Sequence, residues 1–208
     1  MENTVIYILG LFEEGNDPLF YNIRCFLQRN NCNVHGIELY SKNSFGSYAF
    51  DEEIGRITSE INKFRPALVV AHSLGAYVCL QLPISCPLVL LDPSIEIRKI
   101  IKSNSKQIGS KYIYDDGINK SILSKEFIRS ISIAPSIQKL ARYTESKHIY
   151  IFGAGKGGWF VAEQYHRFIP QSQYTLLPNA DHAFSNKVDQ KKIFTTIKHG
   201  LRLSQAGN

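Results

Sequence analysis

Short, mostly apolar runs alternate along this chain with segments in which apolar residues recur every three or four positions. Such runs are typical of buried strands in a parallel sheet, and the wider spacing predicts amphipathic helices. The predicted strands are Val5 to Leu9, Val34 to Leu39, Ala67 to Ala71, Leu88 to Leu91, His148 to Phe152 and Tyr174 to Leu177. The alternation predicts an α/β fold with a parallel sheet of about six strands and helices on both faces.

Local signals mark where several helices begin and end. Asp17 followed by Pro18 is typical of a helix N-cap and its first turn. A second helix is expected to begin at Asp51 and to stop before Pro66, because a residue that precedes proline disfavours the helical conformation. The last helix is expected to begin near Asn186. These helices are the connections that a parallel sheet requires.

Residues 93–147, which follow the fourth predicted strand, do not fit the simple alternation. They contain a turn signal at Asp115-Asp116-Gly117 between short helical patterns. The helical patterns cover Ile95 to Ile101, Ile122 to Ile131 and Ser136 to Ala141. The segment is therefore predicted to be an insertion, whose helices either serve the functional site or only cover the sheet.

A serine at the junction of the third strand and its following helix is a candidate nucleophile. Ser73 lies in the sequence Val69-Val70-Ala71-His72-Ser73-Leu74-Gly75-Ala76-Tyr77, between the small residues Ala71 and Gly75. Small residues suit this position because the strand-to-helix turn is strained and the two elements approach closely around the serine. The alternative is that Ser73 is only the N-cap of the helix.

A histidine late in the chain is a candidate general base for this serine. His182 lies in the sequence Asn179-Ala180-Asp181-His182-Ala183-Phe184, directly after the last predicted strand. Because the carboxyl ends of parallel strands meet at one edge of a sheet, we expect His182 and Ser73 to lie close together. The alternative is an exposed loop histidine without a chemical role.

These segments resemble the α/β-hydrolase superfamily, and the resemblance covers nearly the whole chain. Residues 71–75 resemble its nucleophile turn, residues 179–184 its histidine loop, and residues 8–12 the loop that supplies half of its oxyanion hole. The resemblance implies that the backbone N–H groups of Leu74 and Leu11 bind the oxyanion, with Phe12 as the alternative to Leu11.

The resemblance also implies an architecture for the chain. Residues 1–208 are expected to form a single domain, similar to small bacterial esterases, with residues 93–147 as a lid over the active site. The antiparallel hairpin that usually leads the sheet in this family is expected to be missing. We expect a small acyl compound as the substrate and no cofactor.

The acid that would orient His182 is harder to place. In the family it often follows the strand that here ends near Gly153, and Lys156 occupies that position. Asp92, at the end of the fourth predicted strand, is the position that some lipase-like members use; alternatively, it caps the turn at Pro93. The remaining alternatives are Glu163, Asp115, Asp116 and no acid at all.

A glycine-rich segment favours a different function. Gly153-Ala154-Gly155-Lys156-Gly157-Gly158 matches the pattern of a dinucleotide-binding loop between a strand and a helix. However, Leu177-Pro178-Asn179 stands where such proteins carry an acid, and too few residues follow to complete a nucleotide-binding half. A tight strand-to-helix turn is the preferred interpretation.

Composition and charge bear on nucleic-acid binding, membrane insertion, cellular location and the role of the cysteines. The net charge of +6 comes from basic residues interleaved with apolar ones at helical spacing, which favours solvated helix faces over a nucleic-acid groove. No apolar run approaches the roughly 20 residues that cross a bilayer. Met1 to Thr4 leads into a strand without a basic signal region, so we expect a cytoplasmic protein. The four cysteines have neither metal-binding nor compact disulfide spacing.

The sequence therefore predicts a serine hydrolase that cleaves a small ester or thioester. Ser73 would be the nucleophile, His182 the general base and Asp92 the orienting acid. A weakly active or inactive binding protein with the same fold is the first alternative, since Lys156 stands where an acid is expected. A dinucleotide-binding protein that uses residues 153–158 is the second.

Overall fold

The sheet that organises the chain is parallel throughout. The computed structural model describes residues 3–39, 49–94, 97–109, 111–115, 117, 120–133, 145–156 and 161–206. Its six main strands are β1 (Asn3–Leu11), β2 (Cys32–Leu39), β3 (Leu68–His72), β4 (Leu88–Leu91), β8 (Ile149–Ala154) and β9 (Gln173–Leu177). They lie in the order β2-β1-β3-β4-β8-β9, and all five neighbouring pairs are parallel. The predicted sheet of about six parallel strands is confirmed.

Helices connect these strands where the sequence predicts them. Among the described residues the helices are α1 (Pro18–Gln28), α2 (Phe50–Phe64), α3 (Ser73–Cys79), α4 (Ile97–Asn104), α5 (Lys125–Ile133), α6 (Val161–Phe168) and α7 (Lys187–Ala206). Asp17 caps α1, since its carboxylate accepts the N–H groups of Leu19 at 2.9 Å and Phe20 at 3.3 Å. Arg65 ends α2 in a left-handed conformation directly before Pro66.

Successive residues of each central strand contribute to different cores, as the pleat of a strand requires. In β1, Val5 and Tyr7 face the layer of α1 and α7, whereas Ile6 and Ile8 face the layer of α2 and α3. These four side chains are fully buried. A sheet that is buried on both faces explains why the strands are nearly continuous apolar runs.

The insertion between β4 and β8 contains a second sheet that the sequence analysis did not predict. Strands β5 (Ser105–Ile108), β6 (Lys111–Asp115) and β7 (Lys120–Leu123) pair antiparallel in that order. The expected helix over Ile122 to Ile131 is wrong in its first part, because Ile122 lies in β7 opposite Ile113. The hydroxyl of Ser124 accepts the N–H of Phe127 at 2.9 Å and so starts α5 only after the strand.

The other predictions for the insertion were a turn and two further helical patterns. The two described residues of the predicted turn at 115–117 are hydrogen-bonded, since the N–H of Gly117 donates to the Asp115 carboxylate at 3.1 Å between β6 and β7. The first helical pattern corresponds to α4, which continues to Asn104. The predicted helix over Ser136 to Ala141 lies outside the described residues, as does Asp116.

The insertion packs on the α2/α3 side of the sheet. Tyr114, Leu123, Phe127 and Ile131 are buried in the same core as α3. The N–H of Phe50, at the start of α2, donates to the Ser130 hydroxyl of α5 at 2.8 Å. In the part of the chain that the structure describes, none of the helices is long and apolar enough to span a membrane.

Two helical glycines have opposite surroundings and give a matched test of this packing. A Cβ atom on Gly75 in α3 would lie 2.5 Å from the carbonyl oxygens of both Ile8 and Leu9 in β1, whereas one on Gly55 in α2 would meet nothing within 4 Å. We expect Gly75→Ala to lower the free energy of unfolding by about 1–3 kcal/mol or more, because backbone atoms cannot yield. Gly55→Ala should raise it by up to about 1 kcal/mol through helix propensity. Chemical denaturation of both variants measures the difference, and equal effects would contradict the close packing of α3 on β1.

Candidate active site

Ser73 occupies a strained turn between β3 and α3. Its backbone has a φ of +50°, a left-handed conformation that non-glycine residues seldom adopt. The strand ends at His72 and the helix begins at Ser73, so the turn contains no intervening loop. Gly75 lets α3 approach β1 closely enough for this geometry, because any side chain there would meet the carbonyls of β1. The turn therefore presents the Ser73 hydroxyl at the carboxyl edge of the sheet.

His182 lies next to this hydroxyl. Its Nε2 atom is 3.1 Å from the Ser73 Oγ atom, which is hydrogen-bonding distance. The His182 side chain is 47% exposed, so one face of the pair is open to solvent. The structure thus brings together the serine and the histidine that the sequence analysis selected, across the sheet edge from β3 to the loop after β9.

Asp92 completes a hydrogen-bonded chain with these residues. Its Oδ2 atom accepts a hydrogen bond from the His182 Nδ1 atom at 2.5 Å, and its Oδ1 atom accepts the Ala154 N–H at 3.1 Å. The Asp92 side chain is only 2% exposed. Its backbone has a φ of +38°, and both carboxylate oxygens accept hydrogen bonds from outside the turn that follows β4. With Nδ1 as the donor, Nε2 is free to accept the serine proton.

The turn at Ser73 and the loop that carries Asp92 are also joined through their backbones. The N–H of Ser94 donates to the Ser73 carbonyl at 3.1 Å, and the Tyr165 hydroxyl donates to the Ser94 carbonyl at 3.1 Å. Tyr165 is fully buried in α6. These bonds fix the loop after β4 against the strained turn, so that Asp92 and Ser73 keep one spacing relative to each other.

The alternative acids lie in different surroundings. Glu163 is exposed in the first turn of α6. Asp115 pairs with Lys120 at 3.6 Å on the small sheet. Lys156, which stands at the position that often carries the acid, is exposed, and its N–H donates to the Ala180 carbonyl at 2.8 Å. Asp116 lies outside the described residues.

The loop that carries His182 is held by its own short hydrogen bonds. The Asp181 carboxylate accepts the N–H of Ser185 at 2.9 Å, and the Asp181 carbonyl accepts that of Phe184 at 3.0 Å. The Ser185 N–H, aided by the Ser185 hydroxyl and the charge of Lys156, holds the pKa of the Asp181 carboxyl below its ordinary value. Phe184 is fully buried and anchors the loop in the α1/α7 core. His182 is therefore presented from a defined turn.

The predicted oxyanion donors come from α3 and from the end of β1, two elements that pack closely at Gly75. Leu74 is in the first turn of α3, where backbone N–H groups have no acceptor within the helix. Leu11 is the last residue of β1 and pairs with Leu39 of β2. Phe12 follows in a left-handed conformation with a φ of +64°. Its ring centroid lies 5.4 Å from that of Tyr114 in the insertion.

A buried His–Glu pair beneath the site was missed by the sequence analysis. The Nδ1 atom of His72 forms a short hydrogen bond with the Glu13 carboxylate, and its Nε2 atom lies 2.8 Å from the carbonyl oxygen of His182. The other oxygen of Glu13 accepts the N–H of Gly10 at 2.5 Å. The side chains of His72 and Glu13 are 2% and 15% exposed.

Burial and charge shift the pKa values of His72 and Glu13 in opposite directions. Burial lowers the pKa of His72, but the charge and hydrogen bond of Glu13, the carbonyl of His182 and the charge of Asp92 outweigh it and raise this pKa to about 9. Burial raises the pKa of Glu13, yet the charge and hydrogen bond of His72, with the Gly10 N–H, bring it below its ordinary value. The pair is therefore an ion pair at neutral pH.

The sequence does contain a signal for this pair. His72 is a polar residue at the end of an otherwise apolar strand, and Glu13 follows the neighbouring strand β1. Polar residues after adjacent parallel strands meet at the same sheet edge. The same argument that joined Ser73 to His182 would have joined His72 to Glu13.

In the part of the glycine-rich segment that the structure describes, the backbone bonds to β9 and to the residues that follow it. Gly153 and Ala154 pair with β9, and the N–H groups of Gly155 and Lys156 donate to the carbonyls of Leu177 at 2.9 Å and Ala180 at 2.8 Å. A Cβ atom on Gly155 would lie 2.4 Å from the Pro178 carbonyl oxygen. Close backbone packing thus requires glycine at 155 and occupies the amides that would otherwise bind phosphate. Gly157 and Gly158 lie outside the described residues.

Comparison with known proteins gives structural relatives only. No protein-family model and no curated protein sequence matches the chain. The structure of Est1E from Butyrivibrio proteoclasticus with ferulic acid bound has a TM-score of 0.76 and 12% identity, covering 98% of this chain and 90% of that one. The esterase domain from a Rhodothermus marinus protein has a TM-score of 0.70 and 14% identity, covering 98% and 87%.

A mammalian structure belongs to the same group. Alpha/beta hydrolase domain-containing protein 10 from mouse has a TM-score of 0.67 and 14% identity, covering 94% of this chain and 88% of that one. At such low identity the likeness concerns the path of the backbone, and function has to be argued from the site. The chain has the α/β-hydrolase fold.

Proposed function

We propose that this protein is a serine hydrolase that cleaves a small ester or thioester. The observation that carries the proposal is the continuous chain of hydrogen bonds from Asp92 through His182 to the Ser73 hydroxyl, at 2.5 Å and 3.1 Å. The left-handed turn that exposes Ser73 adds support, since strain of this kind is kept where the geometry is needed. Esterases among the structural relatives agree with the same class of reaction.

The first half of the reaction forms an acyl-enzyme. The Ser73 Oγ atom attacks the acyl carbon while His182 Nε2 takes the hydroxyl proton, so a new C–O bond forms and the carbonyl oxygen becomes an oxyanion. The N–H groups of Leu74 and of Leu11, or Phe12, hold this oxyanion; one such donor is worth about 3 kcal/mol of barrier. The bond to the leaving group then breaks, and His182 returns the proton to it as an alcohol or thiol.

The second half returns the enzyme to its starting state. His182 takes a proton from water, whose oxygen attacks the acyl carbon. The bond to Ser73 breaks, the carboxylic acid leaves, and Ser73 regains its proton from His182. Asp92 keeps a negative charge beside the Nδ1 atom and stabilises the imidazolium that exists during both halves. All of these steps use side chains and backbone groups of the chain itself.

The insertion is proposed to serve as a lid that contributes to substrate binding. It contacts the loop that follows β1, because the rings of Phe12 and Tyr114 pack together with centroids 5.4 Å apart. An apolar cavity of about 450 Å³ opens between α4, β6 and α5. Its lining residues include Ile101, Tyr112, Ile128 and Ile131. Ser73, Asp92 and His182 do not line this cavity, so the lid proposal rests on the contact between Phe12 and Tyr114.

Removal of the nucleophile is the first test. We expect Ser73→Ala to lower turnover of short p-nitrophenyl esters by about 10⁴-fold or more, because the loss of one member disables the whole unit. The same change should abolish covalent labelling by a fluorophosphonate probe. Ser204→Ala, in α7 away from the site, is the matched control and should keep both activities. Turnover that survives in Ser73→Ala would remove the nucleophile assignment and leave a binding protein as the better interpretation.

Removal of the charge on Asp92 is the second test. Asp92→Asn should lower turnover by up to about 10⁴-fold, because an amide favours the wrong histidine tautomer while it keeps the shape of the side chain. Circular dichroism and thermal unfolding should report a folded protein. Glu163→Gln, which changes an alternative acid on the exposed side of α6, serves as the control and should retain turnover. The reverse pattern would assign the acid to Glu163.

The dinucleotide hypothesis has a direct test. Titration with NADH should give no saturable signal at micromolar concentrations, since the amides of Gly155 and Lys156 already donate to backbone carbonyls. Fluorescence of Trp159, the single tryptophan of the chain, and calorimetry are the two measurements. Saturation in both would revive the nucleotide-binding interpretation of the glycine-rich segment.

A further inference from the structure

We infer that His72 is a positioning residue, a fixed imidazolium whose two N–H groups tie the loop after β1 to the backbone of His182. The inference rests on the proposed function, because its importance depends on His182 acting as the base. His72 directly precedes the proposed nucleophile, yet its side chain points beneath the site and contacts no reacting atom in the proposed reaction. Its contribution would be to hold His182 at the correct position relative to Ser73.

The proton state of His72 follows from its partners. The Nδ1 atom faces the Glu13 carboxylate and the Nε2 atom faces the His182 carbonyl oxygen. Neither group can donate when Glu13 is ionised, so each hydrogen bond requires a proton on the ring nitrogen. A neutral imidazole carries only one such proton. With the ring 2% exposed, solvent cannot supply the missing donor, and one acceptor would remain unpaired.

The His72–Glu13 ion pair connects three segments whose relative positions matter for the proposed reaction. Glu13 accepts the N–H of Gly10, so the ion pair shapes the loop that would supply an oxyanion donor. His72 belongs to the same turn as Ser73. Through the carbonyl of His182 it holds the loop that carries the base, and the two imidazole rings lie with centroids 4.7 Å apart. A loss of this connection would shift the base and the oxyanion loop together.

The titratable residues around His72 come from three loops. Glu13 follows β1, Asp92 follows β4, and His182 lies in the loop after β9. Glu13 is in contact with His72, while the charge of Asp92 acts from a greater distance. Together they raise the pKa of His72 to about 9 against the opposing effect of burial. The doubly protonated form is therefore present below about pH 9 and is lost as the pH rises above it.

The proton state can be measured without any assay of activity. In the 15N-labelled protein, correlation of ring carbon-bound protons with the ring nitrogens distinguishes protonated from bare nitrogens for each of the six histidines. We expect both nitrogens of His72, assigned through its backbone resonances, to be protonated at neutral pH, with a loss near pH 9. A single proton on His72 at neutral pH would overturn the inference, whatever the result for Ser73→Ala.

The positioning role is tested by Glu13→Gln. Without the carboxylate charge the pKa of His72 should fall toward or below the ordinary histidine value of about 6.5. We expect kcat to fall about 10- to 100-fold at neutral pH with KM little changed, because a small displacement of the base affects the transition state. The alkaline limb of kcat should move from about pH 9 to lower pH in the same variant.

The matched control is the other His–Glu pair of the described chain. His35 and Glu60 lie 3.0 Å apart between β2 and α2, and both are partly exposed. Glu60→Gln removes the same charge and should leave kcat and its alkaline limb as in the unmodified protein. A Glu13→Gln protein that only unfolds at lower temperature, with kcat and pH profile unchanged, would reduce the pair to a structural role and overturn the inference.

If Glu13→Gln does not fold, a measurement on the unmodified protein still tests the positioning role. The unmodified protein should lose kcat above about pH 9 with the midpoint at which the His72 nitrogen resonances titrate. Full activity maintained through that titration would overturn the positioning role. The proposed function would still stand in that case, since it is tested separately by whether fluorophosphonate labelling is lost in Ser73→Ala.

Discussion

The parallel register of the sheet is the constraint on which the candidate site depends. Ser73, Asp92 and His182 come from segments far apart in sequence, and each lies at or just beyond the carboxyl end of its strand. Parallel pairing of β3, β4, β8 and β9 brings these ends to one edge. A slip of one residue in β3 would exchange the side chains of its two faces and turn Ser73 away from this site, so the packing that fixes the register also fixes the chemistry.

Two carboxylate–imidazole pairs lie side by side at this edge, and they differ in the group that faces the Nε2 atom of the histidine. In both, a carboxylate contacts the Nδ1 atom of the histidine. The Nε2 atom of His182 faces a hydroxyl, which can give up a proton, whereas that of His72 faces a carbonyl, which cannot. The same pair of side chains therefore suits a reversible base in one place and a fixed cation in the other. The group opposite Nε2 decides between these roles.

Much of the fold could be predicted because each central element has a strong local signal. Apolar runs and cap residues predict the six main strands and the cap at Asp17, and sheet topology predicts that Ser73 and His182 meet. Asp92 was one of several candidate acids, suggested by the family resemblance, and the structure places it against His182. The small sheet β5-β6-β7 was missed, since its strands are short and carry exposed polar residues on one face. Their pairing is non-local, and the isoleucine spacing across Ile122 imitates a helix.

Lys156 stands where the family often carries the acid, and this was the main argument in the sequence against a hydrolase. The hydrogen bonds made by the backbone of β8 show how the site forms without an acid at that position. The strand that often supplies the acid in this fold still takes part, because the N–H of Ala154 at its end donates to the Asp92 carboxylate at 3.1 Å. The next two amides, of Gly155 and Lys156, bond to the segment that leads to His182. Thus β8 orients the acid on one side and the histidine loop on the other. A lysine side chain at position 156 can point to solvent without cost to this arrangement, which is why its presence there does not argue against a hydrolase.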